Sequence, residues 1–245
     1  MQIEGKRILV TGASRGLGRT LTFAFAQAQA REVVAGIRNE ADRDSLKTEA
    51  KDRNALITPV QLDVTSDEHV NAVAATGPFD ILVNNAGVAG FGNPLEMNFA
   101  DIQRELEVNY LGVLRVSRAL VPSMIRQRHG MIVNIATAFS KVNLPLVGSY
   151  CATKAALLSI GQALRAYLAD RGVRVMTVLP TTIDTDMSRG ADVPKMTKEF
   201  VATEILAAIR EEKHDPAIGD EAQGILIGLQ QDPIGLETML MKYRA

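Results

Sequence analysis

Tryptophan is missing from the 245-residue chain, cysteine occurs once, and aromatic residues make up only 4%. One cysteine cannot close an internal disulfide, which excludes a stapled secreted scaffold. Charge of one sign is also missing. Lys and Arg number 27 against 28 Asp and Glu, for a net charge of −1. A protein that works chiefly on nucleic-acid phosphate carries a basic excess, so nucleic acid is not an expected partner. No uncharged apolar run approaches the roughly 20 residues that span a bilayer. The first apolar run, Ile8 to Val10, is too short for a secretory leader. A soluble cytoplasmic protein is expected, with no membrane partner. Low-complexity tracts, repeats and linker-like breaks are missing too.

What remains is 47% hydrophobic residues, 22% charged residues and 19 glycines. That is the composition of a folded globular domain, and at this length one core suffices. Short apolar runs recur at Arg7–Thr11, Glu32–Ile37, Leu56–Gln61, Asp80–Asn84, Met131–Ala136 and Val173–Leu179. They lack strict alternation, as strands do when helices cover both sheet faces. Helix-like segments lie between them. The order predicts a doubly wound parallel α/β sheet of Rossmann type, one domain over 1–245 in three layers, α, β and α. Leu95 to Arg128 is the longest helical candidate, starting near Phe99, with Pro122 expected to kink or end it. Ser149 to Arg171 is a second helix, with Gly172 as its C-terminal cap. Ala222 to Ala245 reads as one or two short helices around Pro233.

The glycines concentrate where chemistry starts. Thr11-Gly12-Ala13-Ser14-Arg15-Gly16-Leu17-Gly18 follows the first strand and opens a helix. A strand, a glycine turn and a helix N-terminus form a cradle for a pyrophosphate, because a Cβ would block both the turn and the approach. An NAD-binding chain would place an acidic residue about 20 residues further on, for the ribose hydroxyls. This chain has Ile37-Arg38-Asn39 there. Arg38, with Arg15 in the turn, suits a 2′-phosphate. NADP(H) is therefore expected over NAD(H), although Glu40 and Asp42 nearby weigh the other way.

Tyr150 and Lys154 stand four residues apart on the second long helix, on one face. An ammonium beside a phenol favours phenolate, and such a phenol can exchange a proton with an alcohol or carbonyl oxygen.

Thr11-Gly-x-x-x-Gly-x-Gly18, Asp63-Val64, Asn84-Asn85-Ala86-Gly87, Asn109, Tyr150-x-x-x-Lys154 and Pro180 with Thr185 stand in one order along the chain. The sequence thereby resembles the short-chain dehydrogenase/reductase family over almost its whole length. The resemblance implies an oxidoreductase that interconverts a small-molecule carbonyl and an alcohol. It implies that Tyr150 is the acid/base and that Lys154 lowers its pKa and holds the nicotinamide ribose. Asn109 resembles the residue that organises a relay water. Asp63 and Val64 resemble the adenine contact, and Asn85, Ala86 and Gly87 the support of the cofactor's centre. Pro180, Ile183 and Thr185 resemble the nicotinamide-side contacts. Gly12, Ser14, Arg15, Gly16, Leu17 and Gly18 form the phosphate turn. The resemblance also implies a homodimer or homotetramer through the helices Phe99–Val121 and Tyr150–Arg171.

Three departures from the family pattern stand out. Thr137 replaces the usual Ser, thirteen positions before Tyr150; its hydroxyl offers the same donor and acceptor, with Ser140 and Ser149 as the other candidates. Thr181 replaces the Gly after Pro180, where a positive φ would be unfavourable. The C-terminus lacks the usual Gly-Gly tail. The three histidines show no ligand spacing, so no metal is expected. Cys151 is read as a small buried residue. The loop 187–197 is expected to be a substrate lid with Gly190 as hinge. Val88, Phe91, Phe139, Leu144, Val147 and Met187 are expected to line an apolar substrate pocket. A non-catalytic NADP(H) sensor is the alternative function. A sugar-nucleotide epimerase is a third, disfavoured by the glycine spacing and the small C-terminal half.

Overall fold

The structure is a computed structural model that describes residues 1–243. Seven strands form one parallel sheet in the order β3-β2-β1-β4-β5-β6-β7. They are β1 (Arg7–Thr11), β2 (Glu32–Ile37), β3 (Ile57–Gln61), β4 (Ile81–Asn84), β5 (Gly130–Ile135), β6 (Val173–Pro180) and β7 (Ala217–Ile218). The helices are α1 (Gly16–Gln27), α2 (Arg43–Asp52), α3 (Asp67–Ala75), α4 (Phe99–Leu106), α5 (Gly112–Gln127), α6 (Gly148–Leu168), α7 (Lys198–Arg210), α8 (Asp220–Gln231) and α9 (Pro233–Leu240). The strand order reverses between β1 and β4, and a ligand crevice opens at such a point, beyond the strand C-terminal ends.

The three layers follow from strand alternation. Ile8 and Val10 join the core under α1, α2 and α7. Leu9 points the other way and joins Val70, Val116, Leu120 and Leu168 under α3, α5 and α6. Helix starts are set by side chains that accept orphan N–H groups. Ser66 caps α3 by accepting from His69 N, and Asn98 caps α4 by accepting from Ala100 N. Thr197 caps α7 in the same way, through Phe200 N.

Several boundaries differ from the sequence reading. β7 was not foreseen; its two residues pair with Leu179 and Pro180. Pro122 neither ends nor interrupts α5, which runs on to Gln127, with Arg128 in the left-handed conformation after it. Gly172 does not cap α6. That helix ends at Leu168, and Gly172, at φ +74°, turns the chain into β6 against the Arg128 carbonyl. The long helical candidate is α4, a π turn over Glu107–Leu111, and α5. The C-terminal segment forms α8 and α9, whose Ala222, Ile225, Leu236 and Leu240 pack on Ala138, Phe139, Val142 and Cys151. They thus cover the neighbourhood of Tyr150. No described helix is long and apolar enough to cross a membrane.

Candidate functional site

The ends of β1 and β4 are tied together through Thr11 and Asn85. The Thr11 hydroxyl accepts from Asn85 N and Ala86 N, both at 3.0 Å. Asn85 Nδ2 donates to Thr11 O at 2.9 Å and Gly12 O at 3.2 Å. The Asn85 side chain therefore holds the glycine turn in shape. Gly12 lies at φ +65°, and a Cβ there would sit 2.8 Å from Ala86 Cα. At Gly18 a Cβ would sit 2.2 Å from Gly12 O. Both positions require glycine. Gly16, at φ +56°, packs against Thr185, and Ser14 and Leu17 complete the turn. Arg15 precedes α1 without a side-chain cap, and the first turn of α1 has no acidic residue. Its unpaired N–H groups and a cradle open only to glycine fit a dinucleotide pyrophosphate.

Arg38 follows β2 and is exposed. It acts on Asp63, which follows β3. Burial works to raise the Asp63 carboxyl, but hydrogen bonds from Thr65 N and Oγ1 outweigh it, and Arg38 and His69 add to them. The carboxyl stays below its ordinary range. Asp63 is thus held in a turn with Thr65, and the cap of α3 is Ser66. Val64 is buried against Gly112, and its carbonyl accepts from Arg115. Arg15 points elsewhere: it lies 3.6 Å from Asp186 and is 76% exposed. Arg38 thus acts on Asp63 through its charge alone, and Arg15 stands beside the loop after Thr185.

Asn109, Thr137, Tyr150 and Lys154 converge at the ends of β4 and β5. Lys154 Nζ donates to Ile135 O at 2.8 Å and stands 5.6 Å from the centre of the Tyr150 ring. Asn109 lies in the π turn, fully buried. It donates to Val88 O at 2.8 Å and Thr153 Oγ1 at 3.0 Å, and accepts from Val88 N at 2.9 Å. Gly87 fits between them: its Cβ would be 3.3 Å from Asn109 Oδ1 and 3.6 Å from Lys154 Nζ. The Thr137 hydroxyl donates to Pro180 O at 2.9 Å and accepts from Phe139 N at 3.3 Å. Ser140 donates to Thr137 O, and Ser149 is buried. Thr181 does not adopt a positive φ, so replacing the family glycine brings no backbone strain. Ile183 bridges to Met196, and the hydroxyl of Ser188 accepts from Thr185 N.

Electrostatically this end is dominated by burial. Lys154 is 4% exposed, and burial brings its ammonium down to about 8. Burial, then Cys151 and Glu105, push the Tyr150 phenol above its ordinary value. Burial thus works against ionisation of the Tyr150 phenol and of the Lys154 ammonium alike. The Cys151 thiol is buried and raised to about 11, chiefly by burial, so it is held as thiol.

A cleft of about 540 Å³ is lined by Asn93, Pro94, Asn143, Leu144, Pro145, Leu146 and Gly148, the last being the first residue of α6. Of the six apolar residues expected to line a pocket, Leu144 does so. Phe91 and Met187 are exposed, and Phe139 is buried beneath α8. Thr11, Thr153 and Glu105 were missed as contributors. Thr11 heads the glycine motif, and that position was its signal. No group of three or more His, Cys, Asp or Glu is placed to hold a metal among the described residues.

This combination of fold, glycine turn and Tyr150–Lys154 pair has counterparts among known proteins. The family model of the short chain dehydrogenases matches residues 6–194, and the chain belongs to that family. It is 34% identical over 210 residues to the 3-oxoacyl-acyl-carrier-protein reductase FabG of Thermotoga maritima, covering 84% of each. It is 39% identical over 191 residues to the D-erythrulose reductase of Gallus gallus, covering 77% of this chain and 76% of that one. Among solved structures, a short chain dehydrogenase from Burkholderia cenocepacia in complex with NADP superposes with a TM-score of 0.91 at 36% identity. That match covers 98% of this chain and 99% of the other. The protein is thus a dehydrogenase or reductase by family.

Proposed function

We propose that the protein is an NADP(H)-dependent oxidoreductase that interconverts a ketone or aldehyde and its alcohol, with Tyr150 as the acid/base. The observation that carries this reading is the burial of Lys154 and Asn109 against Gly87, with the half-buried Tyr150 one helix turn from Lys154, at the crevice the strand order opens. The reductase names of the relatives and the NADP in the Burkholderia structure support it. Gly12, Ser14, Gly16, Leu17 and Gly18 hold the pyrophosphate, and Arg38 and Arg15 the 2′-phosphate. Asp63 and Val64 flank the adenine, and Asn85, Ala86 and Gly87 the central ribose. Pro180, Ile183 and Thr185 border the nicotinamide. Bound there, the nicotinamide supplies or takes the hydride at the carbonyl carbon.

The chain's own residues manage the proton and the alignment. Tyr150 donates its phenolic proton to the carbonyl oxygen in reduction and accepts it back in oxidation. Lys154, titrating near neutrality, stabilises the phenolate, and Asn109 holds Val88, in the segment after β4, beside the path of proton resupply. Thr137 orients the substrate oxygen by exchanging its bond to Pro180 O for one to that oxygen. Residues 187–197 close over the substrate, with Gly190, at φ +89° and unhindered, as hinge. The exposed Phe99, Leu106, Leu111 and Tyr167 belong to the surface through which a homodimer or homotetramer forms.

One observation favours a second reading, a nucleotide sensor without turnover: the Thr137 hydroxyl already donates within the chain. NADPH consumption across a diverse carbonyl panel separates the two. Turnover, with a loss on the order of a thousandfold in Tyr150→Phe, is expected. Thr137→Ala should lose most of the activity and Thr137→Ser keep it. Tight NADPH binding with no turnover on any carbonyl would select the sensor.

A further inference from the structure

The fully buried residue of α4 is a glutamate. Glu105 is 2% exposed in a helix whose other residues face solvent or are half-buried. Its Oε1 accepts from Gly90 N at 2.5 Å, and its Oε2 has no hydrogen-bond partner. No ion pair to it occurs among the described residues. A buried carboxylate without a cation is costly, and an orphaned oxygen on it calls for an explanation.

The neighbours supply one. Asn109 follows one turn along the same continuous helix and grips Val88 through both its N–H and its carbonyl. Glu105 grips Gly90, two residues further on. The helix and the segment after β4 are therefore clamped at two rungs, which fix Val88–Gly90 beside Asn109. Gly90 has to lack a Cβ, which would stand 3.3 Å from Glu105 Oε1 and 2.7 Å from Met97 Cε. From α6, the titratable groups facing this carboxylate are Tyr150 and Cys151, and both feel its charge. Lys154 is turned to Ile135 O. In the segments packed on either side, Glu96 and Lys141 are exposed, and Glu107 pairs with Arg115.

We propose that Glu105 is a positioning residue of the reaction centre: one oxygen fastens the Val88–Gly90 segment beside Asn109, and the unpartnered oxygen keeps a buried negative charge on the α4 side of Tyr150. The proposal rests on Tyr150 being the acid/base. A negative charge beside the phenol keeps it protonated, the form that carbonyl reduction needs. Removing the charge favours phenolate, the form that alcohol oxidation needs.

The test uses Glu105→Gln and Glu105→Leu in the full chain. The Gln amide oxygen can still accept from Gly90 N, so this variant removes charge and keeps the rung. Its acid limb for alcohol oxidation should move down by about one pH unit. Glu105→Leu removes both, and its KM should also rise about tenfold. A residue with only a structural role would lower kcat/KM without moving the limb. The phenol itself is followed by 13C-tyrosine NMR on the NADP⁺-bound protein between about pH 6 and 11, with Tyr150 assigned through Tyr150→Phe. This readout needs no turnover, so it stands even if no carbonyl is reduced. Titration of Tyr150 in the Gln variant at least about one unit below the wild type supports the proposal. An unmoved midpoint, or no titration in either protein over that range, overturns it.

Discussion

Thr11, Asn85 and the glycines tie the β1 end of the site through backbone contacts: the turn is shaped by amide bonds, and the space beside Gly12 and Gly18 is filled by main chain. The α6 end is built on the opposite plan. There Lys154 and Glu105 bring ionisable groups into the interior beside the half-buried Tyr150, one ammonium resting on a carbonyl and one carboxylate oxygen on nothing. The first region constrains shape and is electrically quiet. The second tolerates some change of shape but stores the free energy of desolvated charge. Substitutions should therefore fail for steric reasons at one end and for electrostatic ones at the other.

The largest effect is expected at Gly18. A methyl group there would stand 2.2 Å from Gly12 O and 2.4 Å from Asn85 Nδ2, where the main chain cannot give way. Gly18→Ala should cost about 3 kcal/mol of stability, as overpacked cores do, and abolish measurable NADPH binding. Gly190→Ala is the control. It has a positive φ but nothing within 4 Å, so it should cost about 1 kcal/mol and leave NADPH binding in place. Urea unfolding with NADPH fluorescence titration compares them; equal losses would remove the steric distinction.

Lys154→Met should have the next largest effect, and in the opposite direction. Burial brings Lys154 from 10.5 in the unfolded chain to about 8. Below about pH 8 the folded protein carries the full burden of the buried ammonium, worth about 3 kcal/mol by linkage. The Met variant is free of it but leaves Ile135 O without its donor, which costs about 1 kcal/mol. The variant should therefore be inactive yet about 2 kcal/mol more stable than the wild type at pH 7. The unfolded chain binds the extra proton between about pH 8 and 10.5, so the wild type recovers as pH rises; the gap closes within that window and reverses by about 1 kcal/mol above it. Unfolding curves for both proteins across that window check the sign. A variant less stable at pH 7 would show that the ammonium is no burden to the fold.

The same contrast explains what could be read before the structure. β1 and β2 were legible to the residue, because helices on both faces make a buried parallel strand a continuous apolar run. The glycine turn and the Tyr150–Lys154 pair were legible because their spacing is local. β7 was not, since Ala217 and Ile218 hold no pattern of their own and are placed by the edge of β6. Glu105 was hidden for a related reason. In Phe99-Ala-Asp-Ile-Gln-Arg-Glu-Leu106 it reads as one more surface charge, and only the distant Gly90 N–H marks it as buried. The closure of the Tyr150 neighbourhood by α8 and α9 was unreadable too, because their apolar residues meet Phe139 and Val142 far away in sequence.

The smallest expected effect lies where the quiet region meets a charge. Arg38 and Arg15 were read as a pair for one phosphate, but they stand in different surroundings. Arg38 faces Asp63, and Arg15 faces Asp186 in solvent. An exposed ion pair contributes little, so breaking Arg15–Asp186 should leave stability unchanged within about 0.5 kcal/mol. A guanidinium on a phosphate is stronger, about 1.5 kcal/mol, or roughly tenfold in affinity. Arg38→Ala should therefore lower the NADPH-over-NADH preference about tenfold, and Arg15→Ala somewhat less, because part of its interaction is already met by Asp186. Both losses should shrink in high salt, since these groups are exposed. Dissociation constants for the two cofactors at low and high ionic strength measure this. A preference unchanged in both variants would mean that the backbone turn alone selects the nucleotide, and the division between a shape-setting end and a charge-setting end would then hold more strictly than these arginines suggest.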